Sequence, residues 1–95
     1  MSRPEIILER YHIRAARSTL GAVCMKGKVE GRAAFPDQLV LMKDKKFYWI
    51  EFKSLTGTLQ DDQVAMHEVL RKKGHTVYVC STQRHSQEII QRESM

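Results

Sequence analysis

Four consecutive charged residues, Lys43 to Lys46, separate two short apolar runs, "DQLVLM" (37–42) and "FYWIEFK" (47–53). Such a charged stretch has no core to enter, so it is a turn, and the runs on either side are the two strands of a hairpin. The parity of that hairpin decides where its charged ends lie. Asp37 opens one strand and Glu51 closes the other, 51 − 37 = 14 positions later. Opposite residues of an antiparallel pair share a face. An odd loop, such as Lys43, Asp44 and Lys45, sets Asp37 directly opposite Glu51. A two-residue Asp44–Lys45 turn without a bulge sets it opposite Phe52, on the wrong face. Lys53 shares the face of Glu51, because strand residues i and i+2 do.

The rest of the chain supplies what packs on this hairpin. Ser2 and Glu5 have the spacing of a capping box, Pro4 falls in a tolerant first turn, and Gly21 is a stop signal, so a helix runs to about Leu20. Its apolar residues form two stripes at 100° per residue: Ile6, Ile13, Ala16 and Leu20, and then Ile7, Leu8, Tyr11 and Ala15. A second subunit is one way to cover the second stripe. Ala22 to Lys26 is a short strand, and "GKVEGRAAF" is a loop. "QDDQVAMHEVLRKKG" is a helix with acids at its start and bases at its end, as the macrodipole prefers. "HTVYVC" is a strand that pairs beside the hairpin as a crossover partner. "HSQEIIQRE" is a weak terminal helix, expected to fray. The order αβββαβα describes one α/β domain over residues 1–95, a mixed sheet flanked by helices.

Composition narrows the class. A net charge of +5 favours a polyanionic partner, chiefly nucleic acid. No apolar run approaches the ~20 residues of a membrane span. "MSRPEIILER" has no apolar core of a signal peptide, so a soluble intracellular protein is the expectation. Cys24 and Cys80 show no metal spacing and read as free thiols of a reducing compartment.

The charged hairpin ends carry the chemistry. Carboxylates with Cβ atoms about 5 Å apart repel unless a cation lies between them. A few hard oxygen ligands with room for water suit Mg²⁺ or Mn²⁺. Glu9 falls on the stripe of Ile6, Ile13, Ala16 and Leu20, where a carboxylate is costly without a partner. Gln63 falls on the core-facing row of its helix with Met66, His67 and Leu70. Glu9 and Gln63 are therefore expected to converge on Asp37, Glu51 and Lys53. The same charges also fit a plain Glu51–Lys53 ion pair with Asp37 capping a turn.

"PD" at Pro36–Asp37 followed by "EFK" at Glu51–Phe52–Lys53 resembles the PD-(D/E)xK nuclease motif. The ordered set of Glu9-Arg10-Tyr11, Lys26, Phe35-Pro36-Asp37, Glu51-Phe52-Lys53 and Gln63 resembles the VRR-NUC family within that superfamily. This resemblance covers about residues 5–80 and implies a restriction-endonuclease-like αβββαβ core. It implies a Mg²⁺-dependent DNA endonuclease, with Mn²⁺ able to substitute. It also implies that the Phe52 backbone carbonyl joins Asp37 and Glu51 as a metal ligand. Glu9 would serve the outer shell or a second metal, Lys53 the attacking water or the phosphate, and Gln63 would fix Lys53 or that water. Stand-alone members of this size are similar to phage or prophage nucleases that act in a bacterial cytoplasm, as homodimers, on branched DNA such as Holliday junctions.

Other residues are assigned by charge or by spacing alone. Lys26 is the candidate for a phosphate contact, and Arg10, Arg14, Arg17 and Arg32 are candidates for tracking a nucleic-acid backbone. His12, His67, His75 and His85 lack metal spacing and read as core or surface residues. Trp49 and Phe47 read as core. Two other readings are a non-catalytic nucleic-acid-binding module on a nuclease fold and a small interaction protein.

Overall fold

The computed structural model describes residues 2–27 and 34–95. Seven elements follow in order: α1 (Arg3–Leu20), β1 (Val23–Lys26), β2 (Gln38–Leu41), β3 (Phe47–Phe52), α2 (Asp61–Lys72), β4 (Val77–Cys80) and α3 (Gln83–Glu93). The sheet order is β1-β2-β3-β4. The first two pairings are antiparallel and β3–β4 is parallel. The parallel pair needs a crossover, and α2 is that connection.

Local signals set the ends of α1. Ser2 Oγ accepts the backbone N–H of Glu5 (3.4 Å). Gly21 leaves the helix in the left-handed region (φ 61) and returns its N–H to the Ala16 carbonyl, a conformation that costs glycine nothing. The reciprocal half of the expected capping box does not form. The Glu5 carboxylate instead accepts the Ser54 N–H (3.2 Å) and ties the first turn of α1 to the end of β3.

The hairpin turn resolves the question of parity. Asp44 and Lys45 both have positive φ (62° and 63°), as in turns of the I′ kind, and Lys46 N–H closes onto Lys43 O (3.3 Å). The ladder resumes with Met42 N–H to Lys46 O (2.9 Å), leaving Lys43 as one extra residue. Leu41 therefore pairs with Phe47, and Gln38 with Ile50. Extended by one residue, that register places Asp37 opposite Glu51.

Alternation gives the sheet two different faces. Val40, Tyr48, Ile50 and Phe52 point to one side and form the buried core with Leu8, Ala16, Ile89 and Ile90. Both α1 and α3 lie on that side, packed against each other. This corrects two expectations. The last helix does not fray but carries buried Ser86, Ile89 and Ile90. The second stripe of α1 is not free for a second subunit: Leu8 is buried, and the Tyr11 hydroxyl accepts from Gln87 Nε2 (2.7 Å) on α3. Ile7 alone of that stripe is exposed (52%).

A polar pin crosses the apolar side. His12 on α1 is fully buried, with Nδ1 2.6 Å from Ser86 Oγ on α3 and Nε2 2.6 Å from the Tyr48 hydroxyl on β3. A neutral imidazole has one donor and one acceptor, and each meets a hydroxyl. Burial, aided by the nearby charge of His85, lowers the His12 pKa to about 4. The unfolded chain thus binds more protons between about pH 4 and 6.5, so this contribution is present above pH 6.5 and is lost as pH falls. We expect urea titrations to show stability dropping across that window by about 3 kcal/mol from this one group. The slope should flatten in His12→Gln; an unchanged slope would show that His12 does not govern acid unfolding.

Candidate active site

The pairing of Asp37 with Glu51 is built by the chain on both sides. Pro36 is buried and leads directly into Asp37. Gly27 N–H bonds to the Asp37 carbonyl (3.0 Å). A Cβ at Gly27 would lie 1.9 Å from Pro36 O, so only glycine permits this approach. The Phe35 ring packs against Trp49 with centroids 5.7 Å apart, which fixes the segment from below. Asp37 Oδ2 then accepts the Phe52 N–H (2.8 Å), so one of its two oxygens is committed to the backbone of the neighbouring strand.

Glu51 is 2% exposed, and its Oε1 has no hydrogen-bond partner. Burial raises its pKa to about 8, with further upward pushes from a hydrogen bond to Asp37, the Asp37 charge and Glu5, opposed by Lys53. Near neutral pH the metal-free Glu51 carboxyl therefore holds a proton, the usual response of a buried acid beside a second one. A divalent cation would take that proton's place. A buried carboxylate that has an orphaned oxygen and an acidic neighbour fits such an ion on the chemistry of its donors. Among the described residues no three His, Cys, Asp or Glu side chains converge as a metal-binding group. The protein donors are thus two carboxylates, a set that suits an ion retaining several waters.

Lys53 stands two residues beyond Glu51 and is half-buried. Its backbone N–H bonds to Cys80 O on β4 (3.0 Å), which extends the parallel ladder past Phe52 and fixes the side chain's face. Among the described residues, no hydrogen bond or ion pair engages its ammonium. It depresses the Glu51 pKa and so lies within electrostatic reach of the pair.

Glu9 and Gln63 do not join this group. Glu9 is buried as expected, but it has partners of its own. Lys26 Nζ reaches both carboxylate oxygens (3.3 and 3.2 Å), and Gln38 Nε2 donates to Oε2 (2.7 Å). Lys26 and Gln38 are cross-strand neighbours. They lie on the α1 side of the sheet, whereas Asp37, one residue before Gln38, faces the α2 side. Helical periodicity shows that Glu9 turns inward without showing which side of the sheet it meets. Gln63 Oε1 accepts the Gln60 N–H (2.9 Å) and caps the start of α2. Lys26 is paired with Glu9 yet has a 71% exposed side chain. Arg10, Arg14 and Arg17 form an exposed row on α1. Arg32 lies outside the described residues.

Sequence reasoning misses three participants. Gln38 gives no signal, since a polar residue in a strand reads as solvated. Glu5 reads only as a cap. His67 reads as a core or surface residue, yet it is 1% exposed and lies 3.5 Å from Glu51 Oε1 through Nε2. Burial lowers its pKa, with Arg71 next, while Asp37 pulls the other way.

A family model described as the VRR-NUC domain matches residues 2–84. A solved structure described as a VRR_NUC domain aligns over 95% of this chain and 97% of that chain, with a TM-score of 0.88 and 25% sequence identity. No curated protein matches the chain.

The raised pKa of Glu51 has a thermodynamic sign opposite to that of His12. The folded, metal-free chain holds a proton that the unfolded chain loses between about pH 4.5 and 8, so stability falls as pH rises through that window. We expect Glu51→Gln to raise the melting temperature at pH 8 by about 4 °C or more in EDTA, the response to roughly 1 kcal/mol in a domain of this size. Added Mg²⁺ should raise the wild-type value and leave Glu51→Gln unmoved. A lowered melting temperature in EDTA would refute the strained pair.

Proposed function

Because the chain belongs to the VRR-NUC domain family, we propose that it is a divalent-metal-dependent DNA endonuclease that hydrolyses phosphodiester bonds. The observation that carries this reading is the register of β2 on β3, which sets Asp37 against a buried, partly unpartnered Glu51. Asp37 and Glu51 would hold Mg²⁺ or Mn²⁺, with the Phe52 carbonyl as a further ligand. The ion, when bound, supplies charge neutralisation at the phosphate and a more acidic water.

The protein's own groups do the positioning. Phe52 N–H holds Asp37 Oδ2 so that Oδ1 remains for the site. Burial keeps Glu51 out of water, which strengthens its attraction to a cation. Lys53 directs its ammonium to the non-bridging oxygens, where negative charge accumulates during cleavage. Glu9 acts from the far side of the sheet by holding Lys26, whose exposed amine contacts the phosphate backbone. The Arg10–Arg14–Arg17 row adds contacts that position DNA without reading its sequence.

Branched DNA is the proposed substrate, and a homodimer the proposed assembly. The α1 stripe is covered, so a second copy would dock elsewhere. Val23 (61% exposed) and Met25 (50% exposed) on β1 offer an apolar surface for it. No helix among the described residues is long and apolar enough to cross a membrane.

Cleavage of labelled linear, flapped and four-way DNA in Mg²⁺ tests these statements separately. We expect Asp37→Ala and Glu51→Ala to abolish cleavage and Lys53→Ala to lower it by about 100-fold or more, all with the fold intact by circular dichroism. DNA binding without cleavage by the wild type would point to a binding module instead. Binding should weaken steeply with salt, and Arg10→Ala with Arg14→Ala should reduce that slope by about 0.9 for each phosphate no longer neutralised. Equal cleavage of linear and four-way DNA would refute branch specificity. Light scattering should return twice the 11.1 kDa chain mass, and the monomer mass would refute the dimer.

A further inference from the structure

Each carboxylate of the proposed site has two oxygens, and one oxygen of Asp37 is already held by a backbone N–H. Glu51 has no equivalent backbone partner among the described residues. What faces its Oε1 is the imidazole of His67, at 3.5 Å. Both groups are almost fully buried, and Glu51 Oε1, His67 Nδ1 and His67 Nε2 all lack hydrogen-bond partners. Two of these atoms, Glu51 Oε1 and His67 Nε2, face each other in one buried contact, which is destabilising unless they serve each other in some state of the protein. At 3.5 Å the contact is an approach and not a formed hydrogen bond. Contacts in catalytic sites often tighten only when the site is loaded.

Resting on the endonuclease reading, we propose that His67 is a positioning residue for Glu51: its Nε2–H donates to Oε1 of the ionised carboxylate and turns Oε2 towards the cation. The arrangement then becomes symmetrical in function. Phe52 N–H fixes Asp37 and leaves Oδ1; His67 fixes Glu51 and leaves Oε2. Asp37 Oδ1 and Glu51 Oε2 would then be the oxygens left to hold the cation. His67 itself is not a ligand, since no three-residue metal group forms among the described residues and its near nitrogen is turned to Oε1. Such outer partners fix ligand orientation, and their loss weakens metal affinity by about 10- to 100-fold. The helical position of His67 serves this role. It lies one turn after Gln63, which caps α2, and one turn before Leu70, which is buried; the imidazole is therefore held on the inward face of the helix at both ends.

The test uses Mn²⁺ alone, followed by the electron paramagnetic resonance signal of the free ion, on the full chain and two variants. His67→Gln keeps an N–H near the Nε2 position, and His67→Leu removes it. We expect His67→Leu to bind Mn²⁺ about 10-fold or more weakly and His67→Gln to fall within about threefold of wild type, with cleavage by His67→Leu recovering as Mg²⁺ is raised. A merely structural role would not restore binding in the glutamine variant or activity at high Mg²⁺. Wild-type affinity in His67→Leu, or equal loss in both folded variants, overturns the proposal. Should His67→Leu fail to fold, His67→Asn, whose shorter amide cannot span to Oε1, replaces it under the same criteria. Coupling of bound Mn²⁺ to ¹⁵N-labelled histidine would make His67 a ligand and also overturn it. If the wild type binds no Mn²⁺ at all, the endonuclease reading fails instead. The contact is then decided by imidazole ¹⁵N resonances of the metal-free chain above about pH 8, where Glu51 is ionised: an Nε2–H that shifts on Glu51→Gln supports it and a bare Nε2 rejects it.

Discussion

One extra residue in a turn governs this molecule. If Lys43 were paired, the β2–β3 ladder would slip by one position and every side chain of one strand would change face. Asp37 would then meet Phe52, and Glu51 would have no acidic partner. The bulge is held by local means: two consecutive residues with positive φ, one of them an aspartate that tolerates this region, and a bond from Met42 N–H to Lys46 O across the loop. The hydrophobic pattern enforces the same register from the other end. A slip would turn Val40 out of the core that Tyr48, Ile50 and Phe52 complete. Turn chemistry and core burial agree, and the carboxylate pair follows from their agreement.

The two faces of the sheet divide the work. The α1 and α3 side is closed, apolar and pinned by His12, which links three elements through two hydroxyls. The α2 side is thinner, with Leu39, Leu41, Phe47 and Trp49 only half-buried. A strained polar pair is tolerable there because the other face supplies the stability. His12 and Glu51 also pull the pH dependence in opposite directions. One disfavours acid and the other disfavours base in the absence of metal, so the metal-free chain is squeezed from both sides.

Much of this is legible in the chain itself. The even count from Asp37 to Glu51 makes a shared face possible, and only the turn between Met42 and Phe47 decides it. The ends of α1 follow from Ser2 and Gly21, and the order of elements follows from periodicity. What is not legible has a common cause. Periodicity gives the inward side of one helix but not the partner that it meets. Glu9 visibly turns inward, while its true companions, Lys26 and Gln38, lie 17 and 29 residues away. His12 meets Ser86 across 74 residues, so neither residue reads as half of a pair. The last helix looks weak because its buried set, Ser86, Ile89 and Ile90, is short, and its stability comes from α1 and not from propensity. Gln63 serves its own helix end, a role that amides share with ligand-holding residues.

The separation of Glu9 from the Asp37–Glu51 pair bears on how a phosphate backbone would approach. Lys26 pairs across the strands with Gln38, and Gln38 is the residue after Asp37. The amine therefore stands on the α1 side at the last residue of β1, one strand position along from Asp37. The buried Glu9 carboxylate holds the amine's base through both oxygens without covering it, so the cation is oriented and still wet. A strand passing this edge would meet positive charge before it reaches the acids. With a chain net charge of +5, long-range attraction favours a polyanion at this edge. Removing Glu9 would therefore free Lys26 without touching either carboxylate.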